Sequence, residues 1–283
     1  DAFFLYSVEK SYQQISVLET IASDSNQYLS EGIEMQKKLS LDQEKPLTHL
    51  QGSEYLNGLL FQRCRKLLHK KLLKRVGIVA ILFLGLILLT LLKILPYPNE
   101  EDLTKVLPAL FLVMYFGSLG KAIVQMVFVN CDISLLYYPF YREKETILSG
   151  FNYRFIKSMF YTGGFAGSLF GGFFILNFLN GGRTSWYFIG VLFLLLTSLT
   201  ALFSFHELFI YYLLQPFTGD MKVVNPVYKF VSGALYWLCY INLRLQITGF
   251  AYSIVVSIVL LCYVLVGYLL ILRLAPQTFR MKE

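Results

Sequence analysis

His206 and Glu207 stand side by side in an apolar stretch, as at the opening of the H-E-x-x-H pattern, whose two histidines one helical turn apart bind zinc while the glutamate acts as base. Ile210 occupies the place of the second histidine, which argues against zinc-protease chemistry. Gly120-Lys121-Ala122 is the nearest approach to a phosphate-binding loop, in which glycine amides and a lysine cradle phosphates ahead of a Ser or Thr. Both the hydroxyl residue and the earlier glycine are missing, Tyr115 standing in the latter's place, so ATP binding through that motif is not expected. With only His49, His69 and His206 and no G-x-S-x-G elbow, a nucleophile triad has little to draw on. Cys64, Cys131, Cys239 and Cys262 are far apart, indicating neither a disulfide framework nor a zinc site. The chain is therefore expected to be no enzyme and to hold no catalytic residues, metal or cofactor of its own.

Three groups of residues remain. Lys121 lies within an apolar run, where a charge costs at least about 2.5 kcal/mol unless it faces protein or water, so it is expected to point into a bundle. Two readings stand: it lines a polar path and attracts an anionic group, or it pairs with Glu207 or a backbone carbonyl. His206 and Glu207, near the end of their run, are expected to snorkel to the interface in a structural role. Gly163, Gly167 and Gly171 repeat every fourth residue beside a parallel row of Gly164, Ser168 and Gly172, which lets a neighbouring helix approach closely, for tight packing or for sliding. The third group is the stretch Asn130–Leu148, in which Asp132 is expected to cap a short helix carrying Leu135 and Leu136, Pro139 to turn it, Phe140, Tyr141 and Arg142 to follow, and Thr146 to begin the next helix. Such an aromatic knob suits docking into a protein groove; an interfacial reversal with its tyrosines at headgroup level is the other reading.

The elements that position these residues are membrane spans. Of 283 residues 56% are hydrophobic and 17% aromatic, and only 15% are charged, against roughly 25% in soluble globular chains. A span needs about 20 apolar residues, and six stretches approach that: 76–95, 106–129, 155–179, 186–214, 227–243 and 247–272, the fifth being shortest and most aromatic. The expected fold is all-α, a polytopic bundle of six spans over residues 61–283 after an N-terminal helical segment, 1–60. Positive loops stay cytoplasmic. The cluster Arg63, Arg65, Lys66, Lys70, Lys71, Lys74 and Arg75, with Arg142, Lys144, Arg154 and Lys157 later, puts the N-terminal segment and the C-terminus inside. The net charge of +7 thus reads as topology in a plasma-membrane protein rather than as nucleic-acid binding. Phe4, Val8, Tyr12, Ile15 and Leu18 predict an amphipathic helix, residues 39–52 a loop, and Ser53 the cap of a helix entering the first span; Arg63, Lys66, Lys70 and Lys74 share a face that meets anionic headgroups. A start at Asp1 suggests that an upstream part of the natural chain is missing.

Asn130-Cys131-Asp132 through Leu135-Leu136, Pro139 and Arg142 to Ile147-Leu148, together with Tyr211–Thr218 and Ala275–Arg280, resembles features of bacterial ABC exporter permeases of the EcsB-like kind, over residues 53–283. The resemblance implies a separate ABC ATPase subunit that binds ATP and Mg, a coupling loop at Asp132, Leu135, Leu136, Pro139, Phe140, Tyr141 and Arg142 that docks on it, and a second permease copy or homologous half. Peptides, lipids or drug-like compounds are the substrates it implies. The alternatives are a non-transporting scaffold or receptor whose N-terminal segment binds a regulator, and, ranked last, an intramembrane enzyme using Lys121 or His206-Glu207.

Overall fold

A computed structural model describes residues 29–39, 47, 50–219, 226–245, 247 and 249–280. The amphipathic helix expected over Phe4–Leu18, and much of the 39–52 loop, lie outside them. Within the described residues the chain is all-α: α1 (Ser30–Lys37), α2 (Gly52–Leu91), α3 (Glu100–Val106), α4 (Ala109–Gly117), α5 (Gly120–Val127), α6 (Lys144–Leu179), α7 (Trp186–Leu214), α8 (Pro226–Leu245) and α9 (Phe250–Thr278). Five segments are long and apolar enough to cross a membrane: α2, the stretch Ala109–Leu135, α6, α7 and α9. The protein is a multi-pass membrane helix bundle.

The fifth expected span, 227–243, corresponds to α8, which is not among those five. Lys229, Asn242 and Arg244 and three tyrosines lower its apolarity. It nevertheless traverses the bundle. Tyr228 packs on Phe217 at the end that holds the chain's close, while Asn242 donates to the carbonyl of Pro108 at 3.3 Å at the other end. There Phe250, opening α9, packs on Tyr187 and Phe188, and at the far end of α9 Phe279 lies flat on Tyr212 at 4.3 Å. α8 and α9 therefore run antiparallel across the same depth.

α7 is the central helix. Its apolar residues meet α6 through Phe173–Phe188 and Phe170–Phe193, and α9 through Phe205, Phe209 and Tyr263. α2 lies along α6, with Phe61 against Tyr153 and His69 against Tyr161. At about 1.5 Å per residue, the 40 residues of α2 and 36 of α6 reach about 60 and 54 Å, well beyond a hydrocarbon core of about 30 Å. The excess lies at the basic end, because the exposed apolar run of α2 begins only after Arg75. Ser53 does not cap α2: Gln51 holds that position, and Ser53 is buried, accepting from Asn57 through its carbonyl and hydroxyl. Nor does Thr146 begin α6, which starts at Lys144.

The second span is not one helix. α4 stops at Gly117, Ser118 is extended, and α5 begins at Gly120. A Cβ on Gly117 would lie 1.8 Å from the Phe165 ring, and one on Gly120 would lie 2.6 Å from the carbonyl oxygen of Phe203, so both glycines let the break wedge against α6 and α7. Backbone groups freed inside a membrane protein need internal partners. Arg75 of α2 supplies them, donating to the carbonyls of Gly117, at 3.0 Å, and of Ser118.

Of the small-residue rows in α6, Gly164 faces Leu72 and Gly172 faces Phe83, both on α2, while Ser168 donates to its own helix at Phe165. Gly163 approaches Thr200 and with Gly167 borders a groove of about 280 Å³, while Gly167 and Gly171 have open space beside them.

Candidate functional site

At the basic end of the second span the helix widens into a π-turn over Phe128–Asp132, makes one last α-turn at Ile133–Leu135, and returns through a 3₁₀ turn at Pro139–Arg142 into α6. Asp132 does not cap the short helix. It is fully buried, and its carboxylate is gripped by the Arg154 guanidinium, Nη2 to Oδ1 at 2.6 Å and Nη1 to Oδ2 at 2.8 Å. Burying a lone carboxylate is costly, so the side chain turns to the nearest cation rather than to backbone amides already used by the π-turn.

The guanidinium is equally occupied. Beyond the two bonds to Asp132, Nε donates to Asn57 Oδ1 at 2.7 Å, Nη1 to the Tyr212 hydroxyl at 2.8 Å and Nη2 to the Tyr141 hydroxyl at 2.8 Å. These bonds match the five N–H donors of an arginine in number. The carboxylate in turn accepts from the Tyr141 hydroxyl at 2.7 Å and the Tyr211 hydroxyl at 2.6 Å, so each oxygen takes two bonds. Burial pushes the Tyr141 phenol well above its usual range, keeping it a donor. A satisfied buried network of this kind specifies one arrangement of the elements that contribute to it.

Those elements are α2 through Asn57, the π-turn through Asp132, the loop through Tyr141, α6 through Arg154, and α7 through Tyr211 and Tyr212. α9 joins through Phe279 on Tyr212 and through the Thr278 hydroxyl, which donates to the Tyr212 carbonyl at 3.2 Å. The three stretches around Asp132, Tyr211 and Phe279, distant in sequence, thus meet at one point.

Above this hub the loop presents its aromatic tip. Tyr137, Tyr138 and Phe140 are 60%, 54% and 50% exposed and Pro139 is exposed, whereas Leu136 and Tyr141 are buried in the core. Leu135 and Arg142 are half-buried. The expected docking set therefore divides: Pro139 and Phe140 form an outward face, joined by Tyr137 and Tyr138, while Asp132, Leu136 and Tyr141 anchor it. Tyr138 packs on Phe140 and Phe140 on Tyr141, so rings run from the surface into the hub. Cys131 is buried beside the Tyr141 hydroxyl.

Nearer the middle of the bundle, the break in the second span gathers the other candidates. Lys121, in the first turn of α5, is exposed instead of pointing inward, because every other residue of that helix is buried and its outer edge is the one place left for an ammonium. The neighbouring Gly120 faces Glu207, a Cβ there lying 3.6 Å from the Glu207 Cβ. His206 and Glu207 do not snorkel: both are buried, His206 Nδ1 lying 2.8 Å from the Tyr263 hydroxyl and Glu207 Oε1 accepting from Ser232 at 3.2 Å. α7 sits at the centre of the bundle, so neighbouring side chains reach these two before the interface can. Arg75, Lys121 and Glu207 thus place two basic side chains and a carboxyl group around a discontinuous helix, the kind of irregular span on which membrane transporters build polar sites.

Arg154, Asn57 and Arg75 are the residues that sequence reasoning missed as site residues. A usable signal exists for the first: Asp132 and Arg154 are charges at the facing ends of consecutive spans, and each needs a partner there. Comparison with protein-family models, curated proteins and solved structures finds no match to this chain.

Proposed function

We propose that this chain is the membrane subunit of an ATP-driven exporter, with its basic end and both described ends of the bundle on the cytoplasmic side of the plasma membrane. A separate ATPase subunit binds ATP and Mg, and its closure is passed through the loop Tyr137–Arg142 to the membrane helices. The observation that carries this reading is the joining of an exposed aromatic tip, through Tyr141, to a buried hub that ties α2, α6 and α7 together, with α9 stacked on it. A tip tied to one helix would move that helix alone; one tied to four moves them in concert. The broken second span and its Arg75, Lys121 and Glu207 are the place where such motion alters a polar path, and a peptide is a fitting substrate class. A second permease copy or homologous half completes the pathway.

The test is recovery of an ATP-hydrolysing subunit with the full chain from its native membrane. Tyr138→Glu with Phe140→Glu adds charge to the outward face while keeping every hydrogen-bonding residue of the hub, and is expected to leave the chain folded but without its ATPase. Leu136 is unsuitable for this purpose, since a charge there disrupts the core. Undiminished recovery of the ATPase by the folded variant overturns the docking assignment.

A further inference from the structure

α1 lies beside the basic half of α2, and the two helices line a groove of about 290 Å³. Its rim carries Lys38, Lys70, Lys71 and Lys74, and Met35 and Leu67 form its apolar floor. The groove is held open by fixed contacts. The Gln125 side chain accepts from the backbone amides of Glu31 at 3.1 Å and Gly32 at 3.3 Å, securing the start of α1 on α5, and Lys71 pairs with Glu31 at 2.8 Å. A Cβ on Gly32 would lie 2.5 Å from the carbonyl oxygen of Gln125, so only glycine allows this approach. Glu34, the acidic residue of the lining, is paired with Lys38 at 2.5 Å, leaving Lys70 and Lys74, both exposed, as the cations turned to the groove mouth.

The helical face that carries Lys70, Lys71 and Lys74 continues one to three turns on as Ile78, Ile81 and Leu82, which are 53%, 71% and 62% exposed. Gly77 and Gly85 have open space beside them. A cationic groove with a hydrophobic floor is therefore followed, along the same face of α2, by an exposed apolar track. An anionic headgroup fits the first and acyl chains the second; a soluble phosphate uses only the first.

We propose that the groove between α1 and α2 binds an anionic phospholipid, its phosphate held by Lys70 and Lys74 and its chains laid along Ile78, Ile81 and Leu82. This assignment stands apart from the exporter reading, since it requires only that the basic end of the bundle face a leaflet containing such lipids. Near a membrane surface each lysine is worth about 1 kcal/mol, or about fivefold in affinity.

Native mass spectrometry of the full chain in detergent, titrated with phosphatidylglycerol or phosphatidylcholine, reads the site directly. The expected result is preferential retention of phosphatidylglycerol, weakened about 25-fold by Lys70→Gln with Lys74→Gln and little changed by the charge-matched pair Arg65→Gln with Lys144→Gln. Ile81→Ser with Leu82→Ser is expected to weaken retention with no change in charge. Equal retention of the two lipids, equal loss with the control pair, or complete displacement of phosphatidylglycerol by free glycerol phosphate overturns the proposal.

Discussion

Replacing Arg154 by Met removes the charge while keeping the stem that packs in the core. Asp132, fully buried, then holds an uncompensated carboxylate with only Tyr141 and Tyr211 as donors, and the Tyr212 hydroxyl and Asn57 side chain lose their partner. Breaking a buried ion pair from one side costs about 3–5 kcal/mol. At roughly 2–4 °C per kcal/mol for a chain of this size, the melting midpoint falls by about 6–20 °C. Asp132→Leu leaves the guanidinium stranded and has a similar cost. The double replacement removes both charges together and is expected to be no worse than the poorer single variant, giving a coupling energy of at least about 3 kcal/mol. Thermal midpoints of fluorescent fusions, followed by size-exclusion chromatography in one detergent, measure all four chains. Additive single effects, or a fall of less than about 2 °C for Arg154→Met, refute the claim that this pair locks the hub.

Arg75→Leu strips the carbonyls of Gly117 and Ser118 of their donor and is expected to cost about 1–3 kcal/mol, with Arg75→Lys recovering part of it; the same thermal assay reads both. Gly117→Val drives a side chain into the Phe165 ring and lowers stability by at least about 1–3 kcal/mol, whereas Gly167→Val, beside open space, changes it little. Gly32→Val pushes α1 away from Gln125, and hydrogen exchange at the amides of Glu31 and Gly32 is expected to accelerate while the Arg154 region stays protected.

The helical fold and the spans were legible because apolar runs of membrane length leave little choice of secondary structure. α8 was harder to read: its tyrosines, Asn242 and Lys229 dilute the apolar signal, and contacts at its two ends, not composition, define its crossing. The break at Ser118 escaped detection because its cause is tertiary. Gly117 and Gly120 look like ordinary small residues until Phe165 and Phe203 press against them and Arg75 reaches across from another helix. At the site, the loop was singled out by its aromatic and charged residues, but cap chemistry assigned Asp132 to its own helix. Its partner lies 22 residues away, and only folding brings Arg154, Asn57 and the Tyr211-Tyr212 pair to it. For the same reason Leu136 and Tyr141, which read as docking residues beside Phe140, are parts of the anchor.

Cross-linking from the tip of the loop tests the central claim most directly. A Phe140→Cys chain, with the exposed Cys262 replaced by Ser, is expected to form a cross-link to an ATP-hydrolysing subunit in native membranes. In intact cells it should resist a membrane-impermeant thiol reagent. Labelling of that cysteine from outside the cell, or an efficient cross-link only to other proteins, contradicts the account.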